Sequence, residues 1–226
     1  DYAIKYHLSA KEKTPKKKYI KWWKILALKK SSLEKVHLSG QQLDLKKNKM
    51  CGINGFYSNF SSTFNNVIVK MNSAISHRGP DTNGTWVDKN SGIVLGHQRL
   101  SIIDLSVSGN QPMRSSSGRF TLTYNGEVYN HLEIREELKK SNFNIKWKGL
   151  SDTETLLEAI DFWGIEKSLL KIDGMFAFGL WDQKTRCLVL ARDRIGEKPL
   201  YFGWQGKGKN KVFLFGSELK ALKVHP

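Results

Sequence analysis

The chain has 226 residues, 39% of them hydrophobic and 26% charged, enough for one sizeable core. No run approaches the ~20 apolar residues of a membrane span, no segment has the layout of a signal peptide, and two cysteines make no disulfide framework, so a reduced, cytoplasmic setting is expected. The net charge of +16 points toward nucleic acid or an acidic surface, but residues 1–50 carry 14 lysines and no arginine against Asp1, Glu12, Glu34 and Asp44, which is +10 of that excess.

The composition changes at Met50. Ahead of it lies a lysine-rich leader with one apolar patch, Tyr19 to Leu28. Lys17, Lys21 and Lys24 fall at helical spacing, which suits a basic amphipathic helix on a membrane or an RNA. The plainer expectation is that residues 1–50 are not part of the mature protein. Met50-Cys51-Gly52-Ile53 looks like a start of translation. If the methionine is removed, the Cys51 thiol sits beside a free α-amino group. A thiol of pKa ~8.5 and an amine of ~7.7–8.0 are matched for proton transfer near neutral pH.

Beyond Met50 the elements alternate. Cys51–Ser58 reads as a strand. Phe64, Val67, Ile68, Met71 and Ile75 keep a helical period. Ser76 to Asp81 carries a Gly-Pro turn signal. Gly92–Leu100 reads as a strand and Gln111–Gly118 as loop. Phe120–Tyr124 alternates as a strand and runs into Asn125-Gly126, a tight-turn dipeptide. Asn130 with Glu133 and Ser151 with Glu154 are capping-box pairs, opening helices His131–Lys140 and Asp152–Trp163, the second closed by Gly164. Four strand-like runs follow: Met175–Asp182, Cys187–Arg192, Leu200–Trp204 and Val212–Phe215. Helices in the middle with strands on both sides imply an α+β protein with antiparallel sheets.

Nine motifs stand in order. They are Met50-Cys51-Gly52-Ile53, His77-Arg78-Gly79-Pro80-Asp81, the run Gly96 to Asp104, Gly109-Asn110-Gln111-Pro112-Met113, and Tyr124-Asn125-Gly126-Glu127-Val128-Tyr129-Asn130. Ser151-Asp152-Thr153-Glu154, Asp173 to Phe178, Arg192 to Tyr201 and Phe215 to Leu222 complete the series. Together they make residues 51–226 resemble a class II glutamine amidotransferase domain of the N-terminal-nucleophile hydrolase superfamily. More narrowly, the domain is similar to the glutaminase half of glutamine-dependent asparagine synthetase. The resemblance implies a four-layer αββα sandwich with two antiparallel sheets.

Amide hydrolysis needs a nucleophile, a base, an oxyanion hole and a grip on the substrate. Cys51 and its freed amine supply the first two. Asn125 offers a side-chain NH2, and Gly126 a backbone N–H that no side chain shields, to a tetrahedral oxyanion. Arg99 can fork onto the α-carboxylate of free L-glutamine, and Asp152 can take its α-ammonium. The resemblance also places glutamine contacts at Leu100, Ser101, Ile102, Ile103 and Glu127. His77, His97 and Cys187 are read as structural, and Asp88, Asp104 and Asp182 show no pairing suited to acid–base work. No metal spacing and no phosphate loop are present, so no cofactor is expected within these residues.

In asparagine synthetases the ammonia passes to a second half, where ATP and Mg activate the aspartate β-carboxylate. The sequence stops at Pro226, where such proteins turn into that half, and it is read as a leader plus one truncated domain whose partner is the C-terminal synthetase domain. Homodimerisation stays open, and no nucleic-acid or membrane partner is expected. Two alternatives stand beside this reading. One is an asparagine synthetase-like enzyme amidating another carboxylate, such as a surface sugar. The other is a basic nucleic-acid or membrane-binding protein driven by the leader.

Overall fold

A computed structural model describes residues 6–9, 16–17, 50–58, 64–101, 104–141, 145–208 and 211–226. The apolar patch Tyr19–Leu28, with Lys21 and Lys24 of the expected basic helix, lies outside the described residues, as do Ile102 and Ile103.

In chain order the strands are β1 (Tyr6–Ser9), β2 (Lys16–Lys17), β3 (Gly52–Tyr57), β4 (Thr82–Asp88), β5 (Ile93–Arg99), β6 (Met113–Arg114), β7 (Phe120–Val128), β8 (Gly174–Asp182), β9 (Cys187–Arg192), β10 (Tyr201–Gln205) and β11 (Val212–Gly216). The helices are α1 (Phe64–Ala74), α2 (His131–Lys140), α3 (Asp152–Trp163), α4 (Ile165–Lys171) and α5 (Leu219–Lys223). One sheet has the order β2-β1-β9-β8-β7-β6 and the other β10-β11-β3-β5-β4. Every pairing in both is antiparallel.

Three apolar layers hold four structural layers together. Phe64, Val67, Ile68 and Met71, one stripe of α1, pack with Phe56 and Val94 on the outer face of the five-stranded sheet. Ile53, Leu95, Ala177, Trp181, Leu190 and Phe215 fill the space between the sheets. Leu156, Leu157 and Ile160 of α3 cover the outer face of the second sheet against Tyr124, Phe178 and Leu180. Period-two alternation on β3, β7 and β8 is what lets each sheet feed two cores at once. The sheets approach so closely at Phe215 that a Cβ on Gly179 of the facing sheet would strike its ring, as would one on Gly55, its partner across β3 and β11. This is the αββα sandwich expected from the sequence.

Several local expectations need correction. Asn125-Gly126 is not a turn: β7 runs straight through to Val128, with Asn125 opposite Ala177 and Gly126 opposite Phe176. A long partner strand supplies ladder bonds that outweigh the dipeptide's turn preference. Asn130 makes no capping bond to α2. Its amide instead donates to Lys171 O at 2.9 Å and accepts from Asp173 N at 3.0 Å, tying the start of α2 to the end of α4. Ser151 does cap α3, accepting from Glu154 N, and Gly164 closes that helix at φ 80°. The Glu154 carboxylate does not reach back as a capping box requires; it takes Lys148 N and Gly149 N at 2.7 and 3.0 Å. Strand β4 pairs along its whole length with β5, although its sequence carries little apolar alternation.

Candidate active site

Cys51 immediately precedes β3, and its neighbours fix it before any substrate is considered. Arg78, in the turn after α1, donates from Nε to Cys51 O at 3.0 Å and from Nη1 to Glu218 at 3.1 Å. The thiol meets Leu100 twice, donating to its carbonyl at 3.4 Å and accepting from its N–H at 3.3 Å. Burial pushes the Cys51 thiol above its ordinary pKa, while the Leu100 N–H and the Arg99 and Arg78 charges oppose the rise. The thiol is therefore protonated at neutral pH.

The thiol lines an open cleft with Arg99, Leu100, Gly126, Glu127 and Asp152. Asp104, Gly109, Gln111, Tyr124, Ser151 and Thr153 complete the wall. Two bonds between the sheets hold the floor. His97 Nε2 donates to Tyr124 O at 3.0 Å, and Thr123 Oγ1 donates to Gly96 O at 2.9 Å. They register β7 on β5 and so set Asn125 and Gly126 against the end of β3. Asn125 is 2% exposed, and among the described residues its Nδ2 is buried without a hydrogen-bond partner. Such an amide is costly to leave unmade and is a ready donor to an incoming oxygen.

Asp152 opens α3 and is 6% exposed. Its Oδ2 accepts from Val128 N at 2.9 Å and from the Tyr124 hydroxyl at 3.4 Å. Burial raises its carboxyl above the usual range, against the pull of the Val128 and Thr153 N–H groups. Arg99 differs from expectation. Its Nη1 donates to Ser106 O and to Asn110 Oδ1, both at 2.8 Å, and its Nη2 to Asp104 O. The guanidinium edge assigned to a carboxylate thus holds the loop 104–110. A Cβ on Gly109 would collide with Nη2, which is why that loop needs glycine there.

The remaining site residues fall as follows. Ser101 stands beside the cleft, not in its wall, with its N–H on Asp81 Oδ2 at 2.8 Å. Tyr124, Gln111 and Asp104 went unassigned in the sequence. Each lay inside a matched motif, which was the available signal. Gln111 Oε1 accepts from Tyr124 N at 2.7 Å, and Asp104 takes Ser106 N and Leu150 N at 2.8 and 3.2 Å. His97 is fully buried, and burial holds its pKa down to about 4, so it is a neutral structural bridge. Among the described residues no group of three or more His, Cys, Asp or Glu is arranged to hold a metal ion. Among the same residues no helix is long and apolar enough to cross a membrane.

The family model described as glutamine amidotransferase domain matches residues 50–226. The chain belongs to the glutamine amidotransferase domain family. This amidotransferase domain is 38% identical over 189 residues to a putative glutamine-hydrolysing asparagine synthetase 2 of Methanocaldococcus jannaschii, a match covering 76% of this chain and 35% of that protein. It is 36% identical over 182 residues to glutamine-hydrolysing asparagine synthetase 3 of Bacillus subtilis, covering 78% of this chain and 28% of that protein. The chain therefore spans about a third or less of the curated relatives it matches. Among solved structures, the B. subtilis glutamine phosphoribosylpyrophosphate amidotransferase shares the fold, with a TM-score of 0.61 at 21% identity over 77% of this chain and 43% of its own.

Proposed function

We propose that the domain hydrolyses L-glutamine to glutamate and ammonia with Cys51 as nucleophile and its freed α-amine as base. The observation that carries the reading is one cleft holding a thiol, a guanidinium and a buried carboxylate, Cys51, Arg99 and Asp152. Those charges match the two ends of a free amino acid. Asp152 takes the α-ammonium. Arg99 takes the α-carboxylate by exchanging loop carbonyls for carboxylate oxygens, and Leu100, Ser101, Ile102, Ile103 and Glu127 border the bound molecule.

Sγ attacks the amide carbon as its proton passes to the neutral α-amine, a C–S bond forms, and the carbonyl π pair moves onto oxygen. Asn125 Nδ2 and Gly126 N–H hold that oxyanion. As it collapses the C–N bond breaks, the amine returns its proton to the leaving nitrogen, and ammonia departs from a thioester. Water, deprotonated by the same amine, then releases glutamate and restores the thiol.

The raised thiol pKa supports the need for a base. An amide nitrogen has no basic lone pair, so residues 1–50 are absent from the active form. The names of the relatives support a further step: the ammonia serves ATP-dependent amidation of aspartate in a synthetase half of a longer protein, where ATP and Mg would be held. A mechanism that needs a reduced thiol at Cys51 suits the cytoplasm. The test compares a chain that keeps residues 1–49 with one begun at Met50, each checked by mass, for glutamate release. Activity is expected only where Cys51 is the mature N-terminus. Equal activity from an intact long chain would overturn the free-amine mechanism.

A further inference from the structure

Lys198 is 7% exposed, yet among the described residues its ammonium meets no carboxylate. Its one hydrogen-bond contact there is Met50 Sδ, at 3.4 Å. The backbone beneath it is firmly built. The Asp193 carboxylate accepts from the N–H groups of Phe176, Ile195, Gly196, Glu197 and Lys198, at 2.6 to 3.2 Å. The Arg192 guanidinium donates to the carbonyls of Gly196 and Lys198. These seven bonds pin the turn 193–198 and direct a buried, unmatched cation at the residue covalently ahead of the nucleophile.

We propose that Lys198 is a positioning residue that acts through the Cys51 α-amine: once Met50 is gone, its ammonium disfavours protonation of that amine and keeps it available as the base. The proposal rests on the free-amine reading above. Nζ lies within roughly 10 Å of the Cys51 nitrogen, the sulfur contact plus one residue's reach. A unit charge at that range moves a neighbour's titration by on the order of 0.3 to 1 pH unit, depending on the effective dielectric. Other charges also face the amine. Arg78 is matched by Glu218, which also meets His77 and Lys220. Arg99, Asp104, Glu127 and Asp152 line the cleft. Arg192 and Glu197 lie in the Lys198 turn, and Asp193, held ionised by its backbone N–H donors, is the anion at the base of that turn. Lys198 is the buried cation in this set that neither a carboxylate nor a cleft loop engages.

The experiment uses the domain begun at Met50, with methionine removal verified by mass. kcat/KM for glutamine is followed against pH in the wild type, Lys198→Met and Lys198→Arg. The acid limb is expected to move up by about 0.3 to 1 pH unit in Lys198→Met and to stay in place in Lys198→Arg, a pattern that loss of packing alone does not produce. An unmoved acid limb in active Lys198→Met overturns the proposal while leaving the free-amine base intact. If Lys198→Met does not fold, the wild-type amine decides. Its acylation rate against pH should titrate below the ordinary α-amino range of ~7.7–8.0, and a midpoint inside that range overturns the proposal. A chain that keeps Met50 yet hydrolyses glutamine as fast as the processed one overturns the free-amine base and the Lys198 proposal together.

Discussion

Asn125 and Asp152 are each polar, nearly fully buried, and incompletely or expensively satisfied among the described residues. Neither arrangement helps folding, and both suit a ligand that brings the missing partner. If Asn125 Nδ2 meets the oxygen mainly in the transition state, Asn125→Ala lowers kcat about 10²–10³-fold with little change in KM. Steady-state glutaminase assays separate the two constants, and a change confined to KM would reassign the side chain to ground-state binding. Asp152 makes a paired prediction. Burial raises its folded pKa above the unfolded one, so the folded state holds its proton longer, and stability is lost as pH climbs from the unfolded value through the folded one. At neutral pH Asp152→Asn should therefore melt higher than the wild type while its KM for glutamine rises. Thermal melts at pH 7 beside the kinetics check both halves. That Cys51, Arg99 and Asp152 would share one cleft was legible in the sequence, because each sat in a matched motif. The diversion of Arg99 onto the carbonyls of Asp104 and Ser106 was not. It depends on how the loop 104–110 folds back, and backbone oxygens leave no mark on residue types.

At the scale of elements, the crossing of β5 and β7 does the most to assemble the site, because it joins the two sheets by hydrogen bonds as well as packing. His97 is the costlier half of that joint. It must enter the core neutral, and its Nδ1 finds no partner among the described residues. Its folded pKa of about 4 lies below the ordinary 6.5. The unfolded chain therefore takes up the proton first on acidification, and the stability present above pH 6.5 is lost as pH falls toward 4. Melting temperature should drop across that window in the wild type, and the drop should flatten in His97→Gln. Equal slopes would show that other groups govern acid lability. Most elements were readable: α1, α2, α3, β3, β5, β8 and β9 appear within about one residue of where their periodicity placed them. Two of the misses share a cause. β4 is exposed along much of one face and shows no alternation, and Asn125-Gly126 has turn chemistry that a nine-residue strand overrides. Tertiary pairing decides such cases, and a local window does not contain it.

For the whole molecule, the open question is what residues 1–49 add. The sequence marked them off by composition, yet β1 joins the six-stranded sheet at the edge of β9, pairing Leu8 with Leu188 and Ser9 with Cys187. A short polar strand added to an open edge was not foreseeable from lysine content, since ladder bonds use backbone and make little demand on side chains. Its stabilising share should nevertheless be small. The three apolar clusters are built, among the described residues, from Ile53 onward. Burial of large apolar side chains contributes ~1.5–3 kcal/mol each, whereas a net hydrogen bond contributes ~0.5–1.5 kcal/mol. A two-pair ladder on a sheet edge must also offset the entropy of ordering its own residues. A chain begun at Met50 should therefore melt within about 4 °C of the chain that keeps residues 1–49, since a domain of this size moves ~2–4 °C per kcal/mol. Amide exchange in β9 should quicken in the shorter chain, while β8, paired on both sides through much of its length, and β7, one strand further in, keep their protection. A fall of 10 °C or more, or loss of protection in β8, would mean that the N-terminal segment is part of the folding unit. The active form would then have to arise by cleavage after folding, not by starting translation at Met50.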